Sequence, residues 1–290
     1  MIISIASGKG GTGKTTVATN LVLSIDNAQF IDCDVEEPNA NIFLKADIDS
    51  RENVTVDIPK IDEEKCDYCG KCSEFCEYNA LAVVPSKILV FPELCHSCGG
   101  CELVCPRNAV GWRQKVVGKV EHGTAQSVDF YHGLLDVGEI QTMPVIKTLK
   151  QKVDNSKNVI LDAPPGTSCP VIETIQGSDY CILVTEPTPF GLHDLKLMVN
   201  VVRYMNIPFG VIINREGVGD TNVEMFCRRE KIPVLMKIPH DEEISKLYSK
   251  GVPFVMEQQL WRDKFKWLFS KIKEKNEKKP MEGNKEFIGG

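Results

Sequence analysis

IISIASGKGGTGKTTVATNLV, residues 2–22, is the stretch that decides the fold. Ile2–Ala6 is a continuous apolar run of strand length, bounded by a glycine-rich turn. From Lys14 onward apolar residues recur at helical spacing, which predicts a helix over about 14–25. Between the two, Gly8-Lys9-Gly10-Gly11-Thr12-Gly13-Lys14-Thr15 satisfies G-x4-G-K-[ST] in the strand–turn–helix context that this pattern requires. The glycines let backbone N–H groups close around phosphate oxygens, and the start of the following helix favours negative charge. Lys14 is expected to reach the β- and γ-phosphates, and the Thr15 hydroxyl to bind Mg2+. Gly8, Lys9, Gly10, Gly11, Thr12, Gly13 and Thr16 complete the expected nucleotide-binding loop.

The rest of the chain alternates short apolar runs with amphipathic stretches, the pattern of a parallel α/β domain. Further strands are predicted at Gln29–Asp32, Asn158–Asp162, Tyr180–Thr185, Phe209–Asn214 and Val234–Ile238. Several are apolar almost throughout, as expected where helices cover both sheet faces. Helices are predicted at about 170–177, 191–205, 221–231, 241–250 and 257–276. With 290 residues, 42% apolar and 26% charged, the chain has the composition of a globular protein with a sizeable core. Its net charge of −6 argues against general affinity for nucleic acid. Met1 leads straight into the first strand, so no signal peptide is expected, and no apolar run approaches the roughly 20 residues of a membrane span. A cytoplasmic location is the expectation.

Without an export signal, twelve cysteines point to metal ligation or free thiols, not disulfides. Eight of them form two copies of C-x2-C-x2-C-x3-C: Cys66, Cys69, Cys72, Cys76 and Cys95, Cys98, Cys101, Cys105, each 29 residues from its counterpart. The repeat extends further, since Gly70 matches Gly99 and Asn79-Ala80 matches Asn108-Ala109. Bacterial-type ferredoxins use such runs for two 4Fe-4S clusters, the fourth cysteine of each run ligating the other cluster. That spacing assigns Cys66, Cys69, Cys72 and Cys105 to one cluster, and Cys95, Cys98, Cys101 and Cys76 to the other. Zinc is the rival, but it takes four ligands per ion and seldom shows duplicated four-member runs. Residues 60–112 are therefore expected as an inserted ferredoxin-like domain, with a hairpin of Ala80–Val84 and Ile88–Phe91. Residues 113–143 alternate like antiparallel strands that lead back to the parent sheet. Cys33, Cys181 and Cys227 are expected to pack as small apolar residues.

Lys9 resembles the signature lysine of the deviant Walker A ATPases, the group that includes MinD, ParA, nitrogenase iron protein and Mrp-type iron–sulfur carriers. DCDVEEPN at 32–39 is similar to that group's switch I, and LDAPPGT at 161–167 to its switch II. INR at 213–215 and IPHD at 238–241 are similar to its adenine-binding segments. The resemblance implies that Lys9 reaches a partner subunit's phosphates in a nucleotide-sandwich dimer and that Asp34 positions the attacking water. It further implies that Asp162 holds Mg2+ through water, that Gly166 approaches the γ-phosphate, and that Asn214 and Pro239 meet the base. Cys169, seven residues after Asp162, stands where nitrogenase-iron-protein-like enzymes place an interface ligand. A packed thiol is the other reading, because the sequence offers no evident second cysteine for a bridging site.

The expected fold is thus an α/β P-loop NTPase with a mainly parallel sheet flanked by helices, plus an inserted small α+β bacterial-type ferredoxin domain. Residues 1–55 and 113–279 would form the ATPase domain, 60–112 the insert, and 280–290 a flexible tail. The expected activity is that of a Mg2+-dependent ATPase of the MinD superfamily, with ATP and two 4Fe-4S clusters, switching through an ATP-dependent homodimer or a heterodimer with a similar chain. Three roles are open: coupling ATP to electron transfer or metallocluster assembly, carrying a cluster to apo-targets, or MinD/ParA-like positioning with redox-sensing clusters. The corresponding partners are a redox donor or acceptor protein or an apo-metalloprotein. Trp261, Phe265, Leu268 and Ile272 recur at helical spacing in a segment, 257–279, that carries eight Lys/Arg against four Asp/Glu. Docking on the ATPase core is the commonplace reading of such a stripe; a membrane-surface helix is the alternative.

Overall fold

The computed structural model describes residues 1–277. In chain order the elements are β1 (Ile2–Ala6), α1 (Lys14–Val22), β2 (Ala28–Asp32), α2 (Ala40–Leu44), β3 (Asp47–Ile61), α3 (Lys71–Phe75), β4 (Leu81–Val84), β5 (Lys87–Val90), α4 (Gly100–Leu103), β6 (Val110–Ala125) and β7 (Val128–Leu135). There follow α5 (Thr142–Lys150), β8 (Asn158–Asp162), α6 (Cys169–Ile175), β9 (Tyr180–Thr185), α7 (Pro189–Tyr204), β10 (Phe209–Glu216), α8 (Asn222–Arg229), β11 (Val234–Pro239), α9 (Glu242–Ser249) and α10 (Gln259–Glu277). The expected tail, 280–290, lies outside the described residues.

Nine strands form one sheet in the order β11-β10-β9-β1-β8-β2-β7-β6-β3. From β11 to β7 every pairing is parallel; β7–β6 and β6–β3 are antiparallel. The central strands are buried along their length, β2 and β9 at every residue, which explains why they read as unbroken apolar runs. α1 and α10 cover one face, where Phe30, Phe130, Ile3, Ile5 and Leu21 pack together. α6, α7 and α8 cover part of the other, over Leu183, Val211 and Ile213.

β3 was not expected. Its first half is polar and it contains Pro59, which usually argues against a strand. It is an edge strand, however, and edges tolerate proline because half of their backbone groups face away from the sheet. Val54, Val56 and Ile58 alternate inward and are buried. β7 ends at Leu135, opposite Gly118. β3 and β6 continue for seven further residue pairs, from Thr55↔Val116 to Ile61↔Val110. At about 3.3 Å per residue this two-stranded arm overhangs the sheet by roughly 20 Å. β3 runs in the same direction as β7 and β2, so the arm carries residues 62–109 outward from the carboxyl edge of the parallel strands. Residues 62–109 and the parent sheet are therefore joined by continuous strands.

α10 lays Trp261, Phe265, Leu268, Phe269 and Ile272 into the core beside α1. Phe254 meets the rings of Trp261 at 5.5 Å and Phe265 at 6.0 Å. The stripe is docked, and no described helix is long and apolar enough to cross a membrane. Phe265→Ala should destabilise the protein by about 3–5 kcal/mol, the usual cost of truncating a fully buried phenylalanine. Trp267, 59% exposed, should change stability by no more than about 0.5 kcal/mol when truncated. Equilibrium urea unfolding of the two variants checks both, and equal losses would contradict this packing.

Candidate functional site

The loops after β1, β2, β8, β10 and β11 meet at the carboxyl edge of the sheet, where open α/β folds bind ligands. Gly13, with φ 88°, turns the chain into α1. A Cβ at Gly13 would lie 2.1 Å from Asn214 Nδ2, and one at Gly8 would lie 2.4 Å from the Asp194 carbonyl oxygen. Close approach therefore demands glycine at both positions, and backbone conformation does so as well at Gly13. Asn214 Nδ2 donates to the Thr12 carbonyl at 2.9 Å, and the Gly166 N–H donates to the Ser7 carbonyl at 3.0 Å. Asn214 thus touches the phosphate loop directly, and Gly166 touches the residue that leads into it.

Lys14 Nζ lies 2.8 Å from Asp162 Oδ1, with side chains 7% and 0% exposed. Asp162 is the register neighbour of Asp32 on β2. Asp32 accepts the N–H groups of Asp34 and Ala40, both at 3.1 Å, and so shapes the loop that follows it. Burial would lower the pKa of Lys14, but Asp162, Asp32 and Asp34 outweigh it and hold the ammonium above its ordinary range. Burial, with Asp162 adding to it, raises the Asp32 carboxyl. Burial likewise lifts Asp34 from 3.8 to about 6, against the pull of Lys14. One lysine faces three carboxylates. Asp162 Oδ2 and Thr12 Oγ1 are buried without a hydrogen-bond partner. An unpaired carboxylate oxygen among other hard oxygen donors fits a divalent cation such as Mg2+.

Lys9, expected to act across a dimer, pairs within the chain: its Nζ is 2.5 Å from Glu186 Oε1. Glu186 also accepts from Arg215 Nη1 at 3.2 Å. Nothing in the local pattern after β9 singled out Glu186. Thr16, Asn214, Pro239, His240 and Tyr248 line a cavity beside Gly13, suited in size and place to a nucleotide base. Tyr248 tilts against Phe43 of α2 at 5.1 Å, a contact that the short α2 concealed from sequence reading.

On the arm, Cys66, Cys69, Cys72 and Cys105 line one cavity, and Cys76, Cys95, Cys98 and Cys101 line a second. Each cavity takes three cysteines from one run and the last from the other. The duplication reaches the backbone. Tyr68 and Ser97, Gly70 and Gly99, and Asn79 and Asn108 all have positive φ in matched pairs. The Ala80 N–H donates to Cys76 Sγ and the Ala109 N–H to Cys105 Sγ, both at 3.3 Å. Burial raises the thiols of Cys72, Cys95 and Cys101, the last to about 11. Among the described residues no three histidine, cysteine, aspartate or glutamate side chains converge closely enough for a single metal ion. The thiols surround voids instead of a point. Cys169 is exposed at the first position of α6, whereas Cys33, Cys181 and Cys227 are buried in the core.

Residues 3–254 match a family model described as the CobQ/CobB/MinD/ParA nucleotide binding domain. An uncharacterized protein of Methanocaldococcus jannaschii is 33% identical over 263 residues, spanning 88% of this chain and 91% of its own length. An iron–sulfur cluster carrier protein of Pyrococcus horikoshii is 24% identical, over 88% of this chain and 79% of the relative. Among solved structures, the septum site-determining protein MinD of P. horikoshii, complexed with Mg-ADP, superposes with a TM-score of 0.56 at 22% identity, covering 96% of each chain. MinD in the MinC:MinD complex of Aquifex aeolicus gives 0.54 at 19% identity, over 93% of this chain and 96% of that one. At those identities the structural likeness concerns the fold.

The raised carboxyl of Asp34 has a stability consequence. The folded protein binds its proton more tightly than the unfolded chain, so the contribution is complete below about pH 4 and is lost as pH rises through about 6. Nucleotide-free protein should therefore lose stability between about pH 5 and pH 7, and Asp34→Asn should flatten that slope. Urea unfolding at the two pH values checks it, and an unchanged slope in the variant would refute the assignment.

Proposed function

This chain belongs to the CobQ/CobB/MinD/ParA nucleotide-binding family, and we propose that it is an ATP-hydrolysing iron–sulfur protein that couples nucleotide-driven dimer switching to electron transfer or metallocluster assembly. The observation that carries this reading is the pair of four-thiol cavities held on continuous strands beyond the phosphate-loop edge. Their cross-run membership is the ligand pattern of two 4Fe-4S clusters. When bound, such clusters supply one-electron transfer. The protein's part is to offer thiolates, backbone N–H donors to sulfur, and a partly buried setting, the features that tune cluster potentials. Zinc is the weaker reading, since it takes four ligands per ion and seldom shows duplicated four-member runs.

At the nucleotide end, the loop Gly8–Thr16 would cradle the phosphates, with Thr15 and Asp162 holding Mg2+ and Asn214 and Pro239 beside the base. Lys14 neutralises charge on the transferred phosphoryl group, and Asp34 orients water. Lys9 would leave Glu186 and reach the nucleotide of a second subunit, either the same chain or a similar one. A cytoplasmic setting suits the free thiols, and the acidic net charge does not suit nucleic acid. A carrier role, delivering a cluster to an apo-protein, is the second reading. Relatives named iron–sulfur cluster carrier proteins favour it, together with the exposed Cys169.

Protein purified without oxygen should contain about eight irons per chain, and Cys76→Ser or Cys105→Ser should each remove about four. Stoichiometric zinc in their place would sink the proposal. Lys9→Ala should lower ATP turnover on the order of 100-fold, with nucleotide still bound. Turnover assays paired with calorimetric binding check this, and unimpaired hydrolysis would remove Lys9 from the mechanism.

A further inference from the structure

We propose that the nucleotide state is transmitted to the second cysteine cavity (Cys76, Cys95, Cys98, Cys101) in preference to the first, and that Gln141 is the positioning residue at the end of that route. The inference rests on the function proposed above and adds to it which of the two cavities responds.

The route begins beside Asp34. The Val35 carbonyl accepts the Leu135 N–H at 2.9 Å, and the Asp136 N–H donates to the Val117 carbonyl at 3.0 Å. The end of β7 is thereby tied on one side to the loop after β2 and on the other to the arm. Side chains meet over the same place. A Cβ at Gly133 would lie 2.7 Å from Val35 Cγ1, 2.7 Å from Val145 Cγ1 and 2.9 Å from Leu149 Cδ1. Only a bare glycine lets Val35 and α5 press together on β7. Gly118 repeats the arrangement under Val145, whose Cγ2 would be 3.1 Å from an added Cβ. Close-packed interiors transmit displacement because they lack free volume to absorb it. A shift of Val35 therefore displaces α5 or opens a void.

Gln141 immediately precedes α5, and its Nε2 donates to the Cys95 carbonyl at 2.7 Å. The same connection is fastened a second time. Glu139 pairs with Lys115 at 2.5 Å, and Lys115 Nζ also reaches the Pro92 carbonyl at 3.4 Å. The chain entering the second cysteine run is thus held by the turn that opens α5. Beyond it the Ser97 N–H donates to Cys95 Sγ at 3.4 Å, a kind of contact that sets cluster potentials.

The packing separates the two cavities. Val35, Val145, Ile146, Leu149, Ala80 and Cys95 belong to one continuous apolar cluster, with Cys76 packed against it. Cys66, Cys72 and Cys105 adjoin a different cluster around Leu81, Ile88 and Val110, which Cys76 and Cys101 also join and whose Leu81 and Trp112 line the second cavity as well. The second cavity stands between the ATPase core and the first. None of the first cavity's cysteines belongs to the apolar cluster that holds Val35.

Hydrogen exchange of the full chain, read by mass spectrometry with and without Mg2+ and a non-hydrolysable ATP analogue, tests the route. Nucleotide should protect residues 8–16 and slow exchange at 92–98 on the order of 5-fold or more, with no comparable change at 64–72. Gln141→Met should abolish the effect at 92–98 and leave protection at 8–16 intact. Lys115→Gln, which cuts the second tie on a different strand, should diminish it. Protection at 8–16 with none at 92–98, equal protection of both cysteine runs, or an undiminished effect in Gln141→Met each overturns the inference while leaving the ATPase reading in place. Lack of protection at 8–16 sinks that reading and the inference with it.

Discussion

Asp162 and Asp32 stand side by side, fully buried, at the carboxyl ends of β8 and β2, and a single buried lysine answers them. Two parallel strands in register cannot avoid this juxtaposition once each ends in aspartate. An uncompensated buried carboxylate costs several kcal/mol, so the arrangement persists only because local groups divide the charge. Lys14 takes one oxygen of Asp162, backbone N–H groups take both oxygens of Asp32, and Asp34 is protonated more readily than an ordinary aspartate. The remaining Asp162 oxygen is unsatisfied. A site so short of positive charge favours a cation. The imbalance lies at the start of the segment from Asp34 to Ala40, which Asp32 holds through two backbone N–H groups.

A second constraint is geometric. β3 and β6 outlast β7 by seven pairs, and a two-stranded ribbon of that length needs support to keep its direction. Support comes from α5, whose Val145, Ile146 and Leu149 pack with Val54 at the base of the arm and with Val56 and Ile58 on it. Those same α5 residues pack with Val35. One helix of nine residues therefore braces the cysteine-bearing arm and lines the back of the nucleotide loop. Strand continuity fixes the distance between the two sites, and α5 fixes the angle.

The sequence was most legible where one physical demand dominates. Phosphate cradling needs glycine, lysine and threonine at set intervals, and a duplicated run of closely spaced cysteines is conspicuous in any sequence, so both motifs stood out. Central strands were legible because burial on both faces leaves only apolar choices. β3 was not, because an edge strand with one wet face accepts Pro59 and the charges of Asp47–Glu52. α2 is too short to show a helical period, so the Phe43–Tyr248 contact was hidden with it. Glu186, Gln141 and Lys115 carry no motif. Each matters through a partner 23 to 177 residues away, and no local pattern encodes such a partner. The carboxyl edge as the site of chemistry followed from topology; the shortage of positive charge there followed only from the packing.

The two lysines of the phosphate loop illustrate how burial assigns different tasks to one residue type. Lys14 is 7% exposed and bound to a fully buried aspartate. Removing it from Asp162 would strand a charge in the interior, so it is a fixed part of the site. Lys9 is 33% exposed, and its partner Glu186 is shared with Arg215. Solvent-screened pairs of this kind contribute about 0–1 kcal/mol, and Glu186 keeps one cation if the other departs. Lys9 can therefore exchange its carboxylate partner at small cost, whereas Lys14 can give up Asp162 only where another cation takes its place. Weak holding is what any residue able to change partners requires, and the loop places Lys9 at the surface end of the glycine turn.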